Sequence, residues 1–178
     1  MANIPNSTWD PWLNQFRLTG YPDGIDLHGI SQIGMSYQVT SAQLLALNTT
    51  AVSIVAAPVT SLVPVPPNGY CFMPVRAAAE YVAGTTAYTL AGTAPALTIV
   101  YHGQTTALLN ILVTGFLNET TDMVTPYVSA VSPSGPYAFS ACQNLGLDLI
   151  LGGTATPVLT LGNGYVNLFL EYGVICLF

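Results

Sequence analysis

Read by parity, the stretch LGNGYVNLFLEYGVICLF (Leu161–Phe178) admits one regular structure. From Val166 onward its even positions are Val166, Leu168, Leu170, Tyr172, Val174, Cys176 and Phe178, all apolar or aromatic, while its odd positions include Asn167 and Glu171. Strand side chains alternate between faces, so a two-residue apolar period marks a strand with one buried face. A helix would scatter the apolar even positions around its circumference instead of keeping them on one face. From Ile175 both parities are apolar, which predicts a strand end lodged inside a sandwich. Asn163-Gly164 ahead of the strand has the chemistry of a type I′ turn, whose two central residues both take positive φ. The pattern therefore predicts a hairpin between Pro157–Leu161 and the last strand.

Further strands are expected at Tyr70–Tyr81, Ala96–His102, Tyr127–Val131 and Leu145–Leu151. In the first, Phe72, Pro74, Arg76, Ala78 and Glu80 share one parity; in the last, Leu145, Leu147, Leu149 and Leu151 share a face. Leu44–Leu47, Ala51–Ala57 and Leu62–Val65 are short apolar runs of β character, and Pro58 marks a bulge or an edge. Ala107–Leu117 carries a helical spacing (Leu108, Leu112, Phe116) and a strand pattern (Leu109, Ile111, Val113, Leu117). Its Gly115 and β-branched residues favour strand. Ala83–Pro95, rich in Gly and Thr, reads as a loop. About eight short strands separated by turn residues predict an all-β fold, a jelly-roll-like β-sandwich over residues 41–178.

Residues 1–40 break this pattern. Asp10-Pro11 before WLNQFRL has the signature of a helix N-cap and first turn, which predicts a short helix. Trp12, Leu13 and Phe16 would share a face of it. Both tryptophans, Trp9 and Trp12, lie in this segment. The expectation is an irregular N-terminal arm with Trp9, Trp12 and Phe16 as partner-binding residues. The arm docks on a partner protein or neighbouring copy, or folds back onto the end of its own sandwich.

Charged residues make up 6% of the chain, against about 25% in typical globular proteins. There is no lysine; Arg17 and Arg76 are the only cationic side chains besides His, and the net charge is −6. Duplex binding depends on Lys and Arg neutralising phosphates, so nucleic acid is excluded as a partner. Anionic membrane surfaces are excluded for the same reason. The mean hydropathy of +0.53 raises the question of a membrane span. Ala107–Leu117 falls short of the ~20 residues a spanning helix needs, and prolines interrupt the apolar run through residues 51–67. The opening MANIPNSTWDP has neither a basic nor an apolar signal region, so no secretory signal is expected. A β protein without lysine lacks the usual charged guards on its edge strands, so loops or other subunits must cover them.

The candidates for chemistry are few. His28 and His102 are the two histidines, and no G-x-S-x-G elbow accompanies them. Asp23-Gly24-Ile25-Asp26-Leu27-His28 places two carboxylates and an imidazole close in sequence, a set able to hold a divalent cation. The expectation is that it forms an Asx-rich turn in the arm. Cys71, Cys142 and Cys176 each lie in apolar surroundings and read as buried free thiols. Asn6, Asn48 and Asn118 head glycosylation sequons that are expected to stay unmodified. The 10 tyrosines read as sheet packing, or as a sugar-binding surface. No catalytic residue, cofactor or metal is expected, and no enzymatic activity.

Several stretches together resemble a known family. They are Gln43–Ala51 with Val55–Pro58, Val75–Tyr81 with Gly84–Tyr88, Gly115–Asp122, Asn144–Leu149, and Gly162–Val166 with Glu171-Tyr172. Their order and spacing are similar to those of the decoration, or cement, proteins of tailed-bacteriophage heads, which have a jelly-roll body. The resemblance covers about residues 41–178. It implies a homotrimer on the outer surface of the virion, clamping neighbouring subunits of the major capsid protein. The rival expectation is a phage head-fibre or tail protein whose β-sandwich binds a glycan receptor.

Overall fold

A computed structural model describes residues 7–10, 15–18, 33–49, 52–53, 69–129 and 138–176. The elements run β1 (Ser7–Asp10), β2 (Gln15–Leu18), β3 (Ile33–Val39), α1 (Ser41–Ala46), β4 (Val52–Ser53), β5 (Tyr70–Val82), β6 (Tyr88–Tyr101), β7 (Leu109–Leu112), β8 (Met123–Ser129), β9 (Leu147–Leu161) and β10 (Tyr165–Cys176). The body strands pair in nested order, all antiparallel: β3 with β10, β4 with β9, β5 with β8, β6 with β7. This is the pairing of one long two-stranded ribbon bent between β6 and β7. Rolling the ribbon adds two more pairs, β10 with β5 and β9 with β6. The result is two four-stranded sheets, ordered β3-β10-β5-β8 and β4-β9-β6-β7. A ribbon rolled in this way is a jelly roll, so the all-β sandwich expected from the sequence is the fold observed.

The core follows the parity of β10. Val166, Leu168, Leu170 and Tyr172 are all buried, and they join Leu97, Ile99, Leu147, Leu149 and Leu159 of the second sheet in one cluster. Val174 and Ile175 both pack against that cluster, so the strand end is apolar on both faces as expected. Burying a side chain of this size contributes about 1.5–3 kcal/mol. On β5 the register slips opposite Glu171 and Tyr172, which leaves Val75 as an extra residue. A bulge of this kind reverses the parity of the strand. Ala77, Ala79 and Tyr81 therefore face the core on one side of it, and Phe72 and Pro74 are buried on the other. The single parity expected for Phe72, Pro74, Arg76, Ala78 and Glu80 is thus split at the bulge, where proline is tolerated.

Four local expectations are corrected. The hairpin between Pro157–Leu161 and the last strand does not form, because β9 and β10 belong to different sheets. Residues 162–164 instead carry the chain across. Gly162 takes φ +80°, and a Cβ there would stand 2.4 Å from the Tyr88 ring. Asn163 is held by the 84–86 loop: its Oδ1 accepts from Thr86 N at 2.9 Å and its Nδ2 donates to Thr85 Oγ1 at 2.9 Å. Leu44–Leu47 is not β structure; Ser41–Ala46 is helical, begun by a capping box between Thr40 and Gln43. Side-chain capping of two orphan donors outweighs weak β propensity in so short a run. Ala83–Pro95 is a loop only as far as residue 87, since β6 begins at Tyr88. Ala107–Leu117 divides between its two readings. Leu109–Leu112 is β7, and beyond it Leu117 N donates to Val113 O at 3.0 Å in a helical turn.

The N-terminal region also differs from expectation. Asp10 closes β1 and Gln15–Leu18 forms β2, so the segment expected to be a helix is bounded by an antiparallel pair. The β propensity of Thr8, Trp9 and Phe16 prevails over the capping signal of Asp10-Pro11. Ile33–Val39, assigned to the arm by sequence, pairs along β10 from Tyr172 to Val166. The sandwich therefore takes in residues on the arm side of the expected boundary at residue 40. The runs Ile54–Ala57, with Pro58, and Leu62–Val65 lie outside the described residues.

Candidate functional site

The outer face of the β3-β10-β5-β8 sheet is where the sequence concentrates exposed polar and aromatic side chains in register. Its middle row crosses Ser36 on β3, Phe169 on β10 and Ala78 on β5. Phe169 is 40% exposed between these two small neighbours. One row away lie Gln38, Asn167 and Glu80. They are linked in a line: Gln38 Nε2 donates to Asn167 Oδ1 at 3.5 Å, and Asn167 Nδ2 donates to Glu80 Oε2 at 2.8 Å. On the other side of Phe169, Arg76 pairs with Glu171 in register and as an ion pair. The Glu171 carboxylate, through this hydrogen bond and its charge, raises the Arg76 pKa above its ordinary value. The guanidinium carbon also lies 4.6 Å from the centroid of the Tyr127 ring on β8, within reach of a cation–π contact.

Two other places carry polar groups in a groove or a close pair. A groove of about 470 Å³ is lined by Tyr88, Thr89, Leu90, Gly92, Pro95, Thr114 and Asn118. It offers hydroxyls and an amide but no carboxylate, imidazole or thiol. At the end of β6, His102 Nδ1 lies 2.9 Å from Asp148 Oδ2. Asp148 is 3% exposed and its Oδ1 has no partner among the described residues, whereas the imidazole is largely exposed. A carboxylate on Nδ1 orients an imidazole. Among the described residues no group of three or more His, Cys, Asp or Glu side chains could hold a metal.

Of the partner-binding residues expected from sequence, Trp9 and Phe16 are brought directly opposite each other in the β1–β2 register. Trp12 lies outside the described residues, as does the Asp23–His28 segment. Cys71 and Cys142 are buried and free, as expected. Burial, and then the neighbouring Cys142, push the Cys71 thiol up to about 12. Asn48 has a structural role its sequon did not announce. Its Nδ2 donates to Leu159 O at 2.6 Å and its Oδ1 accepts from Leu159 N at 2.8 Å, so the amide stands in for a strand on the edge of β9. The outer-face site itself was missed in the sequence. Its signals were the polar odd parity of β10 and the shared parity of Arg76, Ala78 and Glu80, but the bulge in β5 put Phe72 and Pro74 wrongly on that face and nothing in the sequence set the two strands side by side.

Comparison of the chain with known protein families, with curated proteins and with solved structures gives no match.

Proposed function

We propose that the protein is a structural component of a virus particle, a decoration protein that binds the outer surface of a tailed-phage head and holds neighbouring capsid subunits together. The observation that carries this reading is the jelly roll with its apolar core. Jelly rolls serve viral capsids, lectins and cupins. A ligand-holding interior would need polar groups converging on a cavity. Among the described residues the core cluster is Val, Leu, Ile, Ala, Phe, Tyr and Cys, with Thr98 and Asp148 the buried polar side chains, a lining that favours a function on the outer surfaces.

Edge chemistry supports assembly. β8 is an edge strand of seven residues with no charged side chain, and it leaves Val124 and Tyr127 well exposed. Pro126 and the register shift opposite Ala77–Ala79 discourage strand pairing at this edge, so Val124 and Tyr127 suit side-chain packing with another chain. The net charge of −6 suits a position outside the shell, away from packaged DNA. The partners are the major capsid protein and two further copies of this chain, in a homotrimer. Trp9, Trp12 and Phe16 serve as the anchor, since large aromatics concentrate interface energy.

The test mixes the purified protein with undecorated phage heads and follows co-sedimentation and electron cryomicroscopy. Ordered density on the outer surface is the expected result, with a trimer in sedimentation velocity. No co-sedimentation rejects the decoration role, and a stable monomer at micromolar concentration rejects the trimer.

A further inference from the structure

We propose that the outer face of the β3-β10-β5-β8 sheet is a binding site for a neutral saccharide, with Phe169 as its platform. The Gln38–Asn167–Glu80 row and the Arg76–Glu171 row are its hydrogen-bonding flanks. The proposal does not rest on the virion reading and stands or falls separately from it.

A pyranose has an apolar face of C–H groups and a rim of hydroxyls, each both donor and acceptor. The sheet face has the complementary layout. Phe169 is exposed between Ser36 and Ala78, side chains too short to overhang the ring. Residues on one face of a strand recur every two positions, about 7 Å, so a polar row lies at about that distance on each side of the ring. A pyranose lying on the ring reaches both rows with its hydroxyls.

The flanks supply both kinds of partner. Glu80 accepts Asn167 Nδ2 on Oε2, which leaves its other carboxylate oxygen to accept from hydroxyls. Gln38 donates through Nε2 and keeps its carbonyl oxygen as an acceptor. Arg76 commits Nε to Glu171, and the rest of its guanidinium fork remains a donor. Asn167 and Glu80, and Arg76 and Glu171, are already tied to each other, so they lose little side-chain freedom when a ligand arrives.

Charge selects the class of sugar. Arg76 is neutralised by Glu171, so Glu80 leaves the face net negative, within a chain of net charge −6. An anionic sugar would be repelled. The same carboxylates argue against a protein occupant. The core of a protein interface is depleted in charged residues, whereas this face sets Glu80 and Glu171 in the rows adjoining its central ring. A protein laid over the face would strip the Glu80 carboxylate of its remaining water.

The test uses lactose, cellotriose, triacetylchitotriose and 3′-sialyllactose as probes, with saturation-transfer NMR and titration calorimetry on the full chain. At least one neutral probe is expected to show transfer, with sialyllactose weaker than lactose. Phe169→Ala is expected to weaken binding by about tenfold or more. Phe169→Leu keeps the apolar volume but removes the ring, and it is expected to lose affinity similarly. Asn167→Ala, at a partly exposed position, provides a variant that leaves the core untouched. Circular dichroism confirms that each variant is folded. No transfer from any neutral probe overturns the proposal, as does unchanged affinity in both Phe169 variants. Preferred binding of sialyllactose overturns the neutral class. If Phe169→Ala abolishes self-association or head binding while no sugar binds, the face belongs to a protein contact instead.

Discussion

Two buried tyrosines with opposite hydrogen-bonding fates give a sharp test of the packing. Tyr88, on β6, is 2% exposed, and its hydroxyl donates to Gly164 O at 2.8 Å in the crossing between sheets. Tyr172, on β10, is fully buried, and its hydroxyl has no hydrogen-bond partner among the described residues. Tyr88→Phe removes a hydrogen bond worth about 1 kcal/mol net and strands a carbonyl whose desolvation costs about 1–3 kcal/mol. The expected loss is about 2 kcal/mol, a substantial share of a domain stability of about 5–15 kcal/mol. Tyr172→Phe removes an unpaired polar atom and keeps the ring, which meets Phe72 edge-on with centroids 5.1 Å apart. Its expected effect runs from neutral to a gain of about 1 kcal/mol. Urea unfolding followed by circular dichroism measures both, and an unchanged m-value shows that the midpoint shift is a stability change. In thermal melts the gap between the variants should be several degrees, at about 2–4 °C per kcal/mol. If Tyr172→Phe costs more than about 1 kcal/mol, or Tyr88→Phe is silent, the hydroxyl assignments are wrong.

Three further outcomes are expected. Asn48→Ala frees both backbone groups of Leu159 and should cost about 2 kcal/mol in urea unfolding; a loss below about 0.5 kcal/mol would show that the edge clamp is dispensable. Leu168→Asp forces a charge into the core at a position 1% exposed and should abolish cooperative folding; a soluble variant with a sharp melt contradicts the parity of β10. The third outcome concerns alkaline pH. Desolvation by burial raises the Cys71 thiol from 9.0 to about 12, and it also raises the phenols of Tyr88 and Tyr172. Each group is neutral when folded and ionises first in the unfolded chain. Stability is therefore full below the unfolded thiol value and falls as pH climbs from there through the folded values, at about 1.4 kcal/mol per pH unit for each group. Urea midpoints at successive pH values should decline less steeply in Cys71→Ala, and flat midpoints up to pH 11 would contradict the burial.

The strands that were legible in the sequence are those whose one buried face runs without interruption. Val166, Leu168, Leu170 and Tyr172 announce β10, and Leu147 and Leu149 announce β9. β5 was located but its facing was not, because one extra residue at Val75 reverses the pattern and no residue type marks a bulge uniquely. The start of β6 was hidden because Gly92, Thr93 and Ala94 have turn chemistry, although the strand runs through them. Asn163-Gly164 misled because the same residues that make a tight hairpin also serve a crossing stitched by side chains. The helix α1 rests on Thr40 and Gln43, a signal legible in hindsight as S/T-x-x-E/Q. The outer-face site needed three strands in register. Only pairing brings Ser36, Ala78 and Phe169 together across 133 positions of chain.

The nested ribbon also decides when the protein can close. β10 lies between β3 and β5, the strand that opens the roll and one from its middle. Until β10 arrives, β3 has no partner in its sheet and β5 has one side bare. These are contacts between residues far apart in sequence, the kind that slow folding because a long loop must close first. During that delay two strands with no lysine between them present open edges to every other nascent copy. The arrangement makes slow closure and assembly rivals for the same backbone groups, so yield on refolding should depend steeply on protein concentration.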